Sequence, residues 1–414
     1  MKVQSVSLHG HIIDSLILAK VLDTIVMLGG TFTLSQVTIG TRREDSSHAT
    51  IQIEAPTIES LQDILTAIQP HGAVVEAEQD CTVVPAPADG ILPEDFFATS
   101  HLSTQIRWQG KWIDIPHPEM DLAIVVHPSP LSARMVPMGS VKKGELVVTG
   151  RQGIRVFPLE RPKERDVFGF MEAQVSSERP HRHIIADVAR RMKNILQSRK
   201  AGKNSGKGKV LLAGGPAIVH AGGREALAWI IEAGYIQVLF CGNALAAHDI
   251  EAGLYGTSLG YSLGVGRSVP HGHEHHLRTI NRIRAEGSIQ RAVEHGVVKE
   301  GIMAACVRQE VQMVLAGTIR DDGPLPDVIT DSMQAQEAMR AALPGVELAL
   351  LVASTLHAVA TGNLLPASVP TVCVDINPAV PTKLSDRGSF QAVGLVMDSS
   401  SFLRELAREL GWKG

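Results

Sequence analysis

Small and polar residues follow six short apolar runs in the second half of the chain, where a bound nucleotide would need them. Apolar runs this short are typical of parallel strands that are buried on both faces. In an open parallel sheet, ligands bind at the carboxyl ends of the strands, where turning backbone and helix N-termini offer free N–H groups. Together these strand-end groups favour a nucleotide-type ligand. They are Gly214–Gly223, Gly242-Asn243-Ala244, Asp321-Asp322, Ser354-Thr355-Leu356-His357, Asp375-Ile376-Asn377-Pro378 and Asp398-Ser399-Ser400.

These groups also have a purely structural interpretation, and the sequence leaves both interpretations open. The segment GGPAIVHAGG (Gly214–Gly223) does not match the G-x-G-x-x-G fingerprint of dinucleotide-binding folds, so it is equally consistent with a plain turn. Asp375 suits either a ribose hydroxyl or an Asx-turn. Gly242-Asn243 could supply a left-handed turn, and Asp398-Ser399-Ser400 could cap the last helix.

The histidines and the cysteines could also carry chemistry. The segment GHEHHLR places His273, His275 and His276 close together, but no matching Cys, His or Asp group stands beside it at ligand spacing. We therefore expect no metal and interpret these residues as neutral or surface histidines at the start of a helix. Cys306, in the helical segment GIMAACVRQE, could be catalytic, although a packed thiol is the favoured interpretation.

An α/β fold in the C-terminal half would position the strand-end residues. Helical segments such as Arg224–Ala233 and Gln334–Leu343 separate most of the apolar runs. Alternating strands and helices predict an open parallel sheet of the Rossmann-like class, which we place at residues 207–414. The predicted strands are Lys209–Ala213, Gln237–Cys241, Gln312–Ala316, Glu347–Ala353, Thr371–Asp375 and Val393–Asp398.

Three other regions precede this domain. Residues 1–80 show the order β-α-β-β-α-β, which predicts a ferredoxin-like α+β sandwich. Residues 81–165 lose the helical period and carry short β-rich runs between prolines and glycines, which predicts a β-rich middle domain. Residues 166–206 predict a helix over about His181–Arg199, followed by the flexible connector KAGKNSGKGK.

Composition and charge exclude several classes of protein. The chain has 414 residues, of which 44% are hydrophobic, and a formal net charge of −4, so nothing electrostatic favours a nucleic-acid partner. No stretch approaches the roughly 20 apolar residues of a membrane helix, and the N-terminus lacks the features of a signal peptide. Single, scattered cysteines fit a reducing cytoplasm; they are Cys81, Cys241, Cys306 and Cys373.

Several long segments carry a resemblance to a known family. They are PAPADGILPEDFFATSHL, KWIDIPHPEMDLAIVV, GNALAAHDIEAGLYGTSLG, AGTIRDDGPLPDVITD, LHAVATGNLLPA and VCVDINPAVPTKLSDRGS. The chain resembles the archaeal-type ornithine cyclodeaminases, which are related to a conserved region of bifunctional lysine-oxoglutarate reductase/saccharopine dehydrogenase. A similar module forms the C-terminal part of arginine dihydrolase fusions. The resemblance covers nearly the whole chain and is weakest before Cys81; Cys241 stands where relatives tend to have a small residue.

The resemblance implies an enzyme, an ammonia lyase that converts L-ornithine to L-proline and ammonia with NAD recycled within each turnover. It also implies a C-terminal fold like the NAD-binding domain of deoxyhypusine synthase, which lacks the ordinary glycine fingerprint. The NAD contacts that it implies are Asn243, Ala244, Asp322, Ser354, Thr355, Leu356, His357, Asp375, Asp398 and Ser399.

The implied reaction needs a carboxylate for the distal ammonium group, a base, and a cation for the substrate carboxylate. Structural ion pairs are the alternative for every candidate. The candidates are Asp89, Glu94, Asp95, Glu119 and Asp121 for the ammonium group, and Lys383 or Arg387 for the carboxylate.

Two other functions remain open at this stage. One is an NAD-dependent dehydrogenase of a related amino acid such as saccharopine, with net redox and an exchangeable cofactor. The other is an amino-acid-binding regulatory protein with structural NAD, although the sequence shows no helix-turn-helix or basic arm. We expect a small amino-acid substrate (L-ornithine), no nucleic-acid or membrane partner, and a homo-oligomer.

Overall fold

The computed structural model consists of two compact units, one formed by Met1–Gly169 with Leu365–Ser368 and the other by Phe170–Leu364 with Val369–Gly414. Within the residues that it describes, no helix is long and apolar enough to cross a membrane. The described residues are 2–10, 12–13, 16–40, 45, 47–68, 71–75, 79–129, 131–157, 181–201, 208–258, 260–262, 272–321, 323–386 and 392–414.

The first unit begins with a ferredoxin-like sandwich. Its elements are β1 (Lys2–Gly10), α1 (Ile17–Met27), β2 (Thr31–Thr38), β3 (Ser47–Ala55), α2 (Ile58–Ile68) and β4 (Val74–Val75). The strands pair antiparallel in the order β2-β3-β1-β4, which confirms the predicted β-α-β-β-α-β arrangement. Because side chains alternate along a strand, β3 turns Ala49, Ile51 and Ile53 into the same core as the apolar stripes of α1 and α2.

The rest of the first unit is β-rich, as predicted. Its strands are β5 (Thr82–Pro85), β6 (Ser103–Trp108), β7 (Lys111–Ile115), β8 (Ala123–Pro128), β9 (Leu131–Val136), β10 (Leu146–Thr149) and β11 (Ile154–Phe157). They form two antiparallel sheets, in the orders β5-β10-β8-β9 and β11-β6-β7. The sequence did not indicate β5, β7 and β9, because most of their residues are exposed or half-buried and give no apolar run.

The second unit is a parallel α/β domain. Its seven-stranded sheet has the order β17-β16-β13-β12-β18-β19-β20, and each neighbouring pair is parallel. The strands are β12 (Lys209–Gly214), β13 (Val238–Cys241), β16 (Gln312–Ala316), β17 (Val328–Ile329), β18 (Val346–Val352), β19 (Thr371–Asp375) and β20 (Ala392–Val396), with a separate hairpin of β14 (Thr257–Ser258) and β15 (Tyr261–Ser262).

Helices precede, connect and follow the strands of this sheet. They are α3 (His181–Lys200), α4 (Ala217–His220), α5 (Arg224–Glu232), α6 (Asn243–Tyr255), α7 (His275–Glu286), α8 (Ile289–Glu294), α9 (Ile302–Arg308), α10 (Ser332–Ala342), α11 (Thr355–Leu364), α12 (Ala379–Asp386) and α13 (Ser399–Leu410). The Rossmann-like prediction is confirmed, since leaving out the edge strand β17 gives the order 3-2-1-4-5-6 of that fold.

The strand order explains where a ligand can bind in this unit. The chain first adds strands on one side of β12 and then returns to add β18, β19 and β20 on the other side. A crevice forms at such a switch point, outside the carboxyl ends of the two central strands. The buried faces of β12, β13 and β18 form the rigid base of that crevice.

The predicted domain boundaries remain predictions. The predicted boundary at residues 80–81 falls inside the first compact unit. Of the predicted connector region, 166–206, the described part is 181–201, in which α3 closely matches the predicted helix.

Candidate functional site

The carboxyl edge of the parallel sheet brings together most of the predicted ligand residues. Asn243 begins α6 directly after β13, and Thr355 begins α11 shortly after β18. Asp375 ends β19, and Asp398 precedes α13 at the end of β20. Neighbouring parallel strands end on the same edge, so these residues and the N-termini of α6, α11 and α13 line one face. Helix N-termini carry partial positive charge and unpaired N–H groups, which suits phosphate.

The backbone is closely packed at the switch point between β12 and β18. The Gly215 N–H donates to the Val352 carbonyl oxygen at 3.0 Å. A Cβ atom on Gly215 would lie 1.7 Å from the Ala353 carbonyl oxygen, so only glycine fits there. Ala353 has a φ of 52°, a left-handed conformation that costs a non-glycine residue about 1 kcal/mol or more. Backbone strain of this kind clusters at ligand-binding turns.

The side chain of His357 connects three strand ends. Its Nδ1 atom lies 3.4 Å from Ser354 Oγ, and its ring hydrogen-bonds the backbone carbonyl of Ala316 at the end of β16. Its Cε1 atom lies 3.1 Å from where a Cβ on Gly242 would be. Burial lowers the pKa of His357, opposed by the Ala316 hydrogen bond and the charge of Asp321. The imidazole is therefore neutral at pH 7, and it donates to Ala316 and accepts from Ser354.

Asn243 anchors the segment that follows β16. Its side chain is buried, and Oδ1 accepts a hydrogen bond from the Leu325 N–H at 3.0 Å. Gly242 has a φ of −94° and ψ of 173°, so the alternative of a left-handed turn at this residue is wrong. Gly242 is extended because it is the N-cap of α6, whose first turn also contains the half-buried Ala244.

Asp375 and Asp398 make the structural hydrogen bonds that the sequence left open for them. Asp375 Oδ1 accepts from the Asn377 N–H at 2.9 Å in an Asx-turn. Asp398 Oδ1 accepts from the Ser401 N–H at 2.8 Å and from Ser400 Oγ at 2.9 Å, and so caps α13. Both use Oδ1 for these bonds, and a carboxylate has a second acceptor oxygen, so a ligand role remains compatible.

Hydrogen bonding also sets the charge of Asp398. Burial would raise its pKa, but hydrogen bonds from the Ser401 N–H and from Ser400 outweigh it, and the net pKa is lowered. The carboxylate is therefore ionised at neutral pH. Of the other predicted NAD contacts, Ser399 is buried, Ser354 is half-buried, Thr355 and Leu356 are exposed, and Asp322 lies outside the described residues.

The catalytic candidates are spread over the two units. Cys306 is fully buried in α9, and burial, followed by Cys241 and Asp249, raises its pKa well above the usual value. It is therefore a protonated thiol at neutral pH, in the environment of a packed side chain. Lys383 is exposed on α12, and Arg387 lies outside the described residues.

The acidic candidates all lie in the first unit. Glu119 is buried, and Asp121 has a φ of 64° in the turn before β8. Asp89 accepts from the Lys143 N–H at 2.8 Å and from Lys142 Nζ at 3.3 Å, which is the structural alternative considered for it. Glu94 and Asp95 lie in the loop between β5 and β6. The roles of these acids in a reaction remain predictions.

A group of histidines that sequence analysis did not assemble lies in the second unit. His248 and Glu251 are buried on α6, and His248 Nδ1 lies 3.1 Å from Glu251 Oε2. The ring centroid of His248 is 4.8 Å from that of His220 on α4 and 4.8 Å from that of His276 on α7. The i,i+3 spacing of His248 and Glu251 was the available signal, since it places both on one face of a helix.

His275 and His276, which we interpret from the sequence as neutral or surface histidines, do lie at the start of a helix. Both are half-buried at the start of α7, because this helix packs against α6. His275 Nδ1 lies 2.9 Å from Thr257 Oγ1, and Thr257 Oγ1 donates to Glu251 Oε1 at 2.8 Å. The fold places His248 and Glu251 of α6 beside His276, a grouping that spacing along the sequence does not indicate.

A buried ion pair fixes α5, α6 and α9 together. The fully buried Asp249 accepts from Arg224 Nε at 2.8 Å. It also accepts from the N–H groups of Ile302 at 2.9 Å and Met303 at 2.8 Å at the start of α9. Burial nevertheless raises the pKa of Asp249, against the lowering effect of Arg224 and the two N–H groups. The pair holds the middle of α6 against α5 and α9.

Three known families match successive parts of the chain. Residues 186–406 match "Arginine dihydrolase ArgZ-like, C-terminal, Rossmann fold", residues 103–185 match the first region of the same C-terminal part, and residues 3–102 match the "LOR/SDH bifunctional enzyme conserved region". A relative named ornithine cyclodeaminase from Methanopyrus kandleri is 49% identical over 98% of this chain and 96% of its own length. The chain belongs to the ornithine cyclodeaminase family. This confirms the resemblance.

Solved structures of this family agree in fold. A conserved LOR/SDH protein from Methanococcus maripaludis is 46% identical, with a TM-score of 0.75 over 80% of this chain and 98% of the other. AgrE, crystallised as a ternary complex with ornithine and NAD⁺, is 39% identical, with a TM-score of 0.52 over 99% of this chain and 57% of its own. A relative of that name from Nostoc is described as a bifunctional arginine dihydrolase/ornithine cyclodeaminase.

Proposed function

We propose that this protein is an NAD-dependent ornithine cyclodeaminase, an ammonia lyase that converts L-ornithine to L-proline and ammonia. The observation that carries the proposal is the similarity over 98% of the chain to a relative of that name. The AgrE complex with ornithine and NAD⁺ supports the choice of substrate and cofactor. In this proposal, NAD binds at the carboxyl edge of the sheet in the second unit.

The residues at the carboxyl edge fit NAD. The N-termini of α6, α11 and α13 lie along this edge, where a helix N-terminus can stabilise a pyrophosphate, while Asp375 Oδ2 can accept from a ribose hydroxyl. Leu356 leaves 66% of its surface exposed at this edge, and an aromatic ring of the cofactor can cover it. The proposed contacts are Asn243, Ala244, Asp322, Ser354, Thr355, Leu356, His357, Asp375, Asp398 and Ser399.

The protein side of the mechanism is mainly positioning. Bound at these residues, NAD would supply reversible hydride transfer, with no net change of the cofactor over a turnover. His357 holds its proton on the nitrogen that faces Ala316, and its other nitrogen orients the Ser354 hydroxyl. The Ser354 hydroxyl gives its hydrogen to the neutral ring, so its oxygen is fixed as a hydrogen-bond acceptor at the carboxyl edge.

The substrate contacts form a second part of the proposal. Glu119 is a candidate partner for the distal ammonium group, since a buried carboxylate attracts a cation strongly. Asp121 is the alternative, and Lys383 is a candidate for the substrate carboxylate. Replacing Glu119 with Gln tests the first role, because loss of an ammonium contact raises KM for ornithine. Unchanged turnover and KM in this variant would remove Glu119 from the mechanism.

Turnover with a trace of NAD tests the reaction itself. The purified protein is incubated with L-ornithine and a small amount of NAD, and proline, ammonia and absorbance at 340 nm are measured. Proline in large molar excess over NAD, without accumulation of NADH, is the expected result. Accumulation of NADH would instead support a dehydrogenase of the saccharopine type. Tight ornithine binding without product would support a regulatory protein.

A paired substitution tests the NAD contacts. Asp375→Asn keeps an oxygen that can accept from the Asn377 N–H but removes the charge, so NAD should bind about 10-fold more weakly while the melting temperature stays the same. Asp331→Asn is the matched control, because Asp331 makes a similar bond to the Gln334 N–H at the start of α10. Equal NAD affinity in both variants would contradict the role of Asp375.

We further propose a cytoplasmic homo-oligomer that serves proline biosynthesis. The four cysteines are free and buried, which fits a reducing compartment. Light scattering coupled to size-exclusion chromatography tests the oligomeric state, and a mass equal to one chain would contradict it.

A further inference from the structure

The histidine group on α4, α6 and α7 has the composition of a metal site. Within the described part of the chain, His248, Glu251 and His276 form the group whose ligand atoms lie within 4.8 Å of one another. We propose that these three side chains bind one divalent transition-metal ion of the Zn²⁺ class. None of the three residues is among the proposed NAD contacts, and the proposal does not depend on the proposed reaction.

The chemistry of the ligands favours this class of ion. Two imidazoles and a carboxylate are typical ligands of zinc and of other borderline metals, whereas Mg²⁺ and Ca²⁺ prefer oxygen ligands alone. Zinc ligands lie about 2.0–2.1 Å from the ion, so two of them are at most about 4.2 Å apart. The present 4.8 Å therefore needs only small rotations of the side chains.

Hydrogen bonds already orient the group. His248 Nδ1 lies 3.1 Å from Glu251 Oε2, so these two proposed ligands already lie side by side. Glu251 Oε1 accepts from Thr257 Oγ1 at 2.8 Å and from the Gly260 N–H at 3.2 Å. These bonds fix the carboxylate before any ion binds, which reduces the ordering that binding requires.

Neighbouring histidines surround the three proposed ligands. His220 Nδ1 lies 2.7 Å from Ser258 Oγ, and the His220 ring centroid lies 4.8 Å from that of His248. His220 is therefore a candidate for a fourth ligand. The ion would tie α4, α6 and α7 to the hairpin of β14 and β15.

Cobalt binding tests the site directly. Co²⁺ is titrated into metal-free, untagged protein, and visible absorption and the metal content after dialysis are measured. We expect one ion per chain with d–d bands, and His248→Ala and His276→Gln should each weaken binding at least about 100-fold. Zn²⁺ should displace the Co²⁺ signal. A wild-type protein that binds neither Co²⁺ nor Zn²⁺ with a Kd below about 10⁻⁴ M would overturn the proposal.

Two controls separate loss of a ligand from loss of folding. His48→Ala alters another pair of neighbouring histidines, since the rings of His9 and His48 lie 6.2 Å apart, and it should leave Co²⁺ binding unchanged. The melting temperature of each variant is measured in EDTA. If His248→Ala fails to fold, His276→Gln carries the test, because His276 is half-buried and its replacement leaves a smaller cavity. Undiminished binding by His276→Gln would also overturn the proposal.

Discussion

The imidazole of His357 on α11 packs directly against Gly242, the residue before α6. Its Cε1 atom is 3.1 Å from where a Cβ atom on Gly242 would be, and its Nε2 atom is 3.7 Å away. The ring is held by Ser354 and Ala316, so it cannot move aside without loosening those bonds. The contact joins the ends of β13, β16 and β18 into one surface.

Gly242→Ala should therefore displace the His357 ring from this surface. The backbone itself tolerates alanine, because Gly242 is extended. We expect a loss of about 1–3 kcal/mol in unfolding free energy and weaker NAD binding by about 10-fold, since overpacking shifts the ring. Chemical denaturation and NAD titration measure these two effects. In the double variant Gly242→Ala/His357→Ala the steric cost should largely disappear; strictly additive unfolding free energies would show that the two residues do not interact.

Arg224→Met should destabilise the second unit strongly. It leaves the fully buried Asp249 without its guanidinium partner, and breaking a buried pair on one side costs about 3–5 kcal/mol. Thermal or chemical unfolding measures the loss.

Arg308→Met is the matched control for that substitution. Arg308 pairs with Glu232 at 3.3 Å, and both side chains are nearly half exposed, so its loss should cost no more than about 1 kcal/mol. Similar losses for Arg224→Met and Arg308→Met would contradict the importance of burial at Asp249.

The protein should become less stable as the pH falls from 7.5 to 5.5. Burial lowers the pKa of His101, opposed by the Leu365 hydrogen bond and by Asp121, and His101 Nε2 has no hydrogen-bond partner in the described structure. The unfolded chain therefore binds this proton more readily than the folded chain does. The stability that His101 contributes is complete above the unfolded pKa, near 6.5, and is lost as the pH falls through the lower folded value.

Urea denaturation across this range checks the pH dependence. His101→Asn keeps a side-chain donor for the Leu365 carbonyl but cannot titrate, so the stability curve of this variant should be flatter. His183→Asn, at an exposed position on α3, serves as the control and should leave the slope unchanged. A wild-type slope in His101→Asn would mean that other groups determine the acid sensitivity.

The sequence predicts the central strands well because their signal is local. Strands such as β12 and β13 are buried along almost their whole length, so a short apolar run identifies them. The edge strand β17 has two residues and gives no such run. Asp375 and Asp398 could be placed at strand ends from the sequence. Whether each stabilises a turn, caps a helix or binds a ligand could not be decided, since one carboxylate can make a structural bond with one oxygen and bind a ligand with the other.

The histidine group shows what a single sequence cannot reveal. His220, His248 and His276 lie on three different helices, and only the packing of α4 and α7 against α6 brings them together. No spacing rule links residues that are 28 positions apart, so the signal was limited to His248 and Glu251 within one helix.

Because the cysteines are buried, their reaction with alkylating reagents reports transient unfolding of the unit that contains them. Burial raises the pKa of Cys81 to about 11 and the pKa values of Cys241 and Cys373 to about 12, so the native thiols are both inaccessible and protonated. Alkylating reagents can then react only with molecules that have transiently unfolded. Cys81 lies in the first unit, whereas Cys241, Cys306 and Cys373 lie in the second. Peptide mapping of the alkylated protein would thus give two separate alkylation rates, one for Cys81 and one for the other three cysteines. Each rate would report how often its own unit opens.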